Sequence, residues 1–126
     1  MTWMYAQDTG CLYLNNALTA KGYSGHGEGV NNPSMQSVHN VGPLPCGSYT
    51  IGAPRDPIDH LGPIAMPLSP DPANEMFGRF AFFIHGDTPS MDQTASDGCI
   101  IMPHITRAAI SESDDKSLIV VETYNV

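Results

Sequence analysis

Apolar and polar positions alternate at the start of the chain. Trp3, Tyr5 and Gln7 share one face, Asp8-Thr9-Gly10 supplies turn chemistry, and an extended run resumes from Cys11 to Leu14. The pattern predicts a hairpin over residues 3–14, continued through 21 by a second turn at Asn15-Asn16. A glycine-dense stretch follows, with Gly22, Gly25, Gly27 and Gly29 leading to Asn31-Asn32-Pro33. No Lys-Ser/Thr follows it, so it reads as a surface loop rather than a phosphate cradle. Residues 34–41 fit a short helix and a turn equally. Val41-Gly42-Pro43-Leu44-Pro45 reads as extended, because proline biases its predecessor away from helix. Gly47 to Ile51 is a strand with Tyr49 and Ile51 on one face, expected beside the strand that carries His85.

Six prolines between Ala53 and Pro72 argue against a regular helix or a central strand there. The interleaved Leu61, Ile64, Met66 and Leu68 argue for an ordered loop, a wall or lid of a cleft. Phe77 to Ile84 is nearly continuous in apolar character and predicts a central strand, followed by a polar connector over 88–95. Pro103 fits a helix start, Ile105, Ala108 and Ala109 recur at helical spacing to about Glu112, and Ser117 to Tyr124 is a closing strand. The fold class is mainly β with one or two short helices and long ordered loops, in a single domain over 1–126.

A chain of 126 residues is long enough to bury about two-thirds of its unfolded surface. It has no apolar run near the roughly 20 residues of a membrane span. Its first residues lack the basic and apolar regions of a secretory signal. The expectation is a protein made in the cytoplasm, or exported by a route that reads no cleavable peptide. A formal net charge of −8 excludes a nucleic-acid footprint and any long-range attraction to anionic lipid. Of three cysteines one stays unpaired; Cys11 and Cys46 form either a disulfide or two reduced thiols, and the spacing demands no bridge. His26, His39, His60 and His104 show no spacing that makes a zinc site persuasive, and no metal or other cofactor is expected.

The candidate chemistry lies between Phe80 and Met102. An apolar run ends on His85, Gly86 and Asp87 follow, and Cys99 stands fourteen positions past the histidine in a Ser96-Asp97-Gly98-Cys99-Ile100 setting. A thiolate attacks carbonyls, a free thiol is mostly protonated at neutral pH, and an imidazole within reach takes its proton. Gly98 permits a sharp turn and close substrate approach, and backbone N–H groups around Gly98 and Cys99 are candidates to face an oxyanion.

His85-Gly-Asp followed by Ser-Asp-Gly-Cys-Ile resembles the active-site signature of the L,D-transpeptidases, cysteine enzymes that remodel peptidoglycan. Pro45-Cys46-Gly47-Ser48-Tyr49 resembles that family's strand entry upstream of the histidine. Thr2-Trp3-x-Tyr5-x-Gln7-x-Thr9-Gly10, Gly22-Tyr23-Ser24-Gly25, Asn31-Asn32-Pro33, Asn40-Val41-Gly42-Pro43 and Phe77-Gly78-Arg79 are similar to the compact L,D-transpeptidase effectors of type VI secretion systems. The resemblance implies a β-sandwich-like catalytic domain with Cys99 as nucleophile and His85 as base. The imidazole would be oriented by the Gly86 carbonyl or by Asp87, and Ser96 would contact substrate or fix the loop. Two positions depart from the commonest pattern: Asp97 replaces a histidine and Ile101 an arginine. Both departures remove positive charge, and Arg79 is the candidate replacement, near the oxyanion or on a substrate carboxylate. Tyr23, Ser24 and Asp97 are further candidate substrate contacts.

The resemblance implies peptidoglycan stem tetrapeptides as substrate, cut next to D-alanine through a Cys99 thioester. Water then gives L,D-carboxypeptidase action, and an amine gives transpeptidation. It also implies a monomeric toxin active in a target cell's periplasm, with an immunity protein and a secretion carrier as partners. The rivals are a noncatalytic peptidoglycan-binding module of the same fold and a Cys-His hydrolase or thiol-redox protein of other specificity.

Overall fold

The computed structural model describes residues 2–55, 64–87 and 96–124. The first hairpin forms as its alternation dictates, from β1 (Trp3–Ala6) and β2 (Cys11–Leu14) in antiparallel register. Asn15 and Asn16 both take left-handed backbone, φ 53° and 65°, which returns the chain as β3 (Ala17–Lys21). Two positive-φ residues in a two-residue loop match the twist of the flanking strands, and asparagine tolerates that region better than most side chains. Then come β4 (Tyr23–Ser24), two short 3-10 turns at Gly27–Gly29 and Pro33–Met35, and β5 (Gly47–Ile51). The remaining elements are β6 (Met66–Pro70), β7 (Phe82–His85), β8 (Ile100–Ile101), α1 (His104–Glu112) and β9 (Ser117–Val121).

The strands make one nine-stranded sheet in the order β3-β2-β1-β9-β5-β6-β7-β8-β4. Its two edges, β3 and β4, are separated in sequence only by Gly22, so the sheet curls until the edges nearly meet. Gly22 is the seam. Its N–H donates to Gly10 O at 2.8 Å, and a Cβ placed on it would lie 1.8 Å from Ile101 O. Inside the curl pack Tyr5, Leu12, Tyr49, Met66, Phe82, Ile84, Ile100 and Leu118, with Ile110 of α1 among them.

Four expectations are corrected. Met66–Pro70 is a strand of the sheet interior, not loop, and it lies between β5 and the histidine strand, so β5 and β7 are not neighbours. The prolines are tolerated because they sit where a neighbour ends: Pro67 O accepts from Gly52 N just beyond β5, and Pro70 closes its own strand. The expected wall or lid also covered 56–63, which lie outside the described residues, as does the 88–95 connector. The strand expected over 77–84 shrinks to Phe82–His85, because Phe77, Gly78 and Ala81 all adopt positive φ. Finally, α1 buries Thr106, Arg107 and Ile110, while Ile105 is 80% exposed. All three cysteines are free, so Cys11 and Cys46 are reduced thiols. Among the described residues no helix is long and apolar enough to cross a membrane.

The seam makes a direct prediction. Gly22→Ala lowers unfolding stability by about 3 kcal/mol, the upper range of overpacking into backbone, read as a fall in the urea midpoint. Gly27→Ala, whose Cβ would meet nothing within 4 Å, is the control with a smaller loss.

Candidate active site

His85 is the last residue of β7, and β8 runs parallel beside it with Ile84 opposite Ile100 and His85 opposite Ile101. Met102 N donates to His85 O at 3.0 Å, which locks the register. Cys99 immediately precedes β8. Its sulfur accepts a hydrogen bond from Phe83 N at 3.3 Å, two residues before the histidine on the same strand. The pairing therefore seats the thiol and the imidazole on adjacent strands at one end of the sheet. The His85 ring is buried, and its Nδ1 lies 2.9 Å from Gly86 O. A carbonyl only accepts, so Nδ1 donates this bond, which fixes the orientation of the ring. Of the two candidates for orienting the ring, the Gly86 carbonyl makes this contact; Asp87 Oδ1 accepts from Tyr23 Oη at 2.6 Å.

A compact hydrogen-bond network holds the cysteine loop. Ser96 Oγ donates to Cys99 O at 2.7 Å and accepts from Gly25 N and Gly98 N, each at 3.0 Å. Ser24 Oγ donates to Gly98 O at 3.0 Å and accepts from Leu44 N at 2.9 Å. Gly98 has φ +134°, and a Cβ there would lie 2.4 Å from Arg79 Nη2 and 2.6 Å from Phe82 Cε1. Arg79 is buried, with Nη1 on Gln36 O and Pro43 O, Nη2 on Gly42 O and Asp97 O, and its guanidinium 5.2 Å from the Phe82 ring centroid.

A family model described as the Tlde1 domain matches residues 18–123, most of the chain and all of this site. The chain belongs to the Tlde1-domain family. This is a family of type VI secretion effectors. No curated protein matches the chain.

Several residues of this Tlde1 domain take roles other than those expected from its sequence. Tyr23, Ser24 and Arg79 were candidate substrate contacts, yet all three are buried and bonded within the protein. Ser96 is wholly buried and staples the loop, the second of its two expected roles. Gly98 N is committed to Ser96 Oγ, so it is not an open oxyanion donor; the Cys99 amide has no hydrogen bond among the described residues and remains available. Asp97 is exposed at the rim. Two cations were overlooked. Arg107 of α1 donates through Nε to Met102 O at 3.1 Å, and its Nη2 would lie 2.8 Å from a Cβ on Gly86. Arg55 lies over Phe83, 5.9 Å from the ring centroid. The signal for Arg107 was its place three residues before the buried Ile110, one helical turn along the same face.

Burial pushes the Cys99 thiol up to about 11, reinforced by the Asp97 carboxylate and opposed by the Phe83 N–H and by Arg79. The resting group is therefore a neutral thiol. Because the folded value is raised, the folded state keeps a proton that the unfolded chain releases. That stabilisation is complete below about 8.5, the ordinary cysteine value, and is lost as pH rises towards 11. Iodoacetamide labelling of Cys99 is expected to rise with a midpoint near pH 11, and Asp97→Asn to move that midpoint down. A wild-type midpoint at or below 8.5 would contradict this electrostatic picture.

Proposed function

We propose that this Tlde1-domain protein is a cysteine enzyme of peptidoglycan, an L,D-carboxypeptidase and L,D-transpeptidase acting on stem tetrapeptides. The observation that carries the reading is the parallel register that sets Cys99 against Phe83, two residues before His85 on the same strand, with the His85 Nδ1 on the Gly86 carbonyl. The family match supports the effector context, and the sequence resemblance supplies the substrate class.

The chemistry follows from the resting charges. With the thiol near 11, about one molecule in 10⁴ is thiolate at pH 7, so attack requires a general base. His85 Nε2 takes the Cys99 proton as sulfur bonds to the carbonyl carbon of the third stem residue. The Phe83 N–H stabilises charge on sulfur, and the Cys99 amide is the donor for the oxyanion. The imidazolium then gives its proton to the departing D-alanine amine as the C–N bond breaks, which leaves a thioester. Water or an amine attacks that thioester and loses a proton to His85, and the C–S bond breaks to release Cys99. Type VI delivery places this reaction in a target cell's periplasm, and the producing cell needs an immunity protein against it.

Purified protein incubated with disaccharide tetrapeptides should release one alanine, read by mass spectrometry. Cys99→Ala and His85→Ala should each lower the rate by at least about 10³-fold, as for residues acting as one unit. Alanine release unchanged in either variant, or absent in the wild type, would sink the enzyme reading in favour of a peptidoglycan-binding module.

A further inference from the structure

Beside the nucleophile loop lies a cleft of about 330 Å³ lined by His39, Asn40, Arg79, Phe80, Phe82 and Asp97. We infer that this cleft is a subsite for the head of an α-amino acid, with the ammonium on Asp97 and the carboxylate towards Asn40 and Arg79. The inference rests on the reading of Cys99 as nucleophile, since Asp97 is two residues away in the same loop.

Three observations point to this ligand chemistry. The first is charge. The Asp97 carboxylate is exposed and makes no hydrogen bond or ion pair among the described residues, while its own carbonyl accepts from Arg79 Nη2 at 3.1 Å. Arg79 has all four Nη hydrogens on backbone carbonyls, so it contributes a fixed positive field at the floor rather than a free fork. A cleft with a free carboxylate at its rim and a buried guanidinium below is dipolar, and a zwitterion matches it better than any ion of one sign.

The second is shape. Phe80 is 84% exposed and lines the cleft. It is presented there by left-handed backbone at Phe77, Gly78 and Ala81, and His39 Nε2 lies 2.8 Å from Phe77 O, which pins the same loop. Non-glycine residues are disfavoured in that region, so the loop is held against its local preference. Phe80 and Phe82 form the apolar walls, suited to the methylenes behind an amino-acid head and to an ammonium over a ring face.

The third is a conflict within the site. A carboxylate beside a thiol nucleophile opposes thiolate formation. A bound ammonium cancels that field, so occupancy of the subsite by substrate would favour the reactive form of Cys99.

Two sources share this chemistry: the far end of a diamino-acid third stem residue of the acyl donor, or a free amino acid that accepts the acyl group. Calorimetry on Cys99→Ser, which binds without turnover, separates them with three probes: a tetrapeptide with diaminopimelate at the third position, the same peptide acetylated on the side-chain amine, and D-alanine. If the donor fills the cleft, the free-amine peptide binds about tenfold more tightly than the acetylated one, and adding Asp97→Asn removes the difference. If the acceptor fills it, the two peptides bind alike, D-alanine binds, and Asp97→Asn weakens it about tenfold. Phe80→Ala should weaken the same ligand several-fold. The subsite is overturned if Asp97→Asn changes neither the peptide ratio nor D-alanine binding, or if no probe binds. Alanine release by the wild type is measured separately, so failure of catalysis and failure of this subsite give different results.

Discussion

The parallel pairing of two short strands is the constraint on which the site depends. Parallel strands are not joined by a tight turn, and here β8 follows β7 in chain order as its parallel partner. The register then leaves no freedom. With His85 opposite Ile101, the residue that precedes β8 falls against Phe83, and that residue is the cysteine. Cys99 and Phe83, remote in sequence, become neighbours because backbone hydrogen bonds count residues on both strands.

The cost of this arrangement is visible in the loop that carries the sulfur. Burial disfavours the thiolate, and the protein answers with one N–H on sulfur and a nearby guanidinium rather than with a charge at the surface. Arg79 does most for geometry: its four carbonyl contacts tie the segment 36–43 to the cysteine loop and stack on Phe82. Gly98 has no room for a side chain between Arg79 and Phe82, so the loop, the arginine and the ring are one packed unit. Ser24 and Ser96 close it from the other side. Most residues around Cys99 therefore serve to position its loop.

What was legible in the sequence follows the range of each interaction. The first hairpin, the Asn15-Asn16 turn, the helix span and the strand end that delivers His85 depend on local alternation and turn chemistry, and all stand in the structure. The membership in the Tlde1-domain family was legible through short motifs. The rest depends on partners distant in the chain. Prolines at 67 and 70 read as strand breakers because only the neighbouring strands' ends make them harmless. Phe77 to Ala81 read as strand because apolar composition does not reveal positive φ. Arg79 read as a cation for the oxyanion or a substrate carboxylate because its four backbone acceptors come from segments that no periodicity connects to it. Tyr23 and Ser24 were found, but as substrate contacts rather than as a scaffold, whereas fixing the loop was one of the two roles expected of Ser96.

The most direct test of the Cys99–His85 unit is the intact mass of the wild-type protein, quenched during turnover of a disaccharide tetrapeptide and mapped by proteolysis. The expected species carries one acyl group, the substrate less its terminal alanine, on the peptide containing Cys99, removable by hydroxylamine. Alanine release with the acyl group on Cys11 or Cys46, or with no covalent species under any quench, would contradict it.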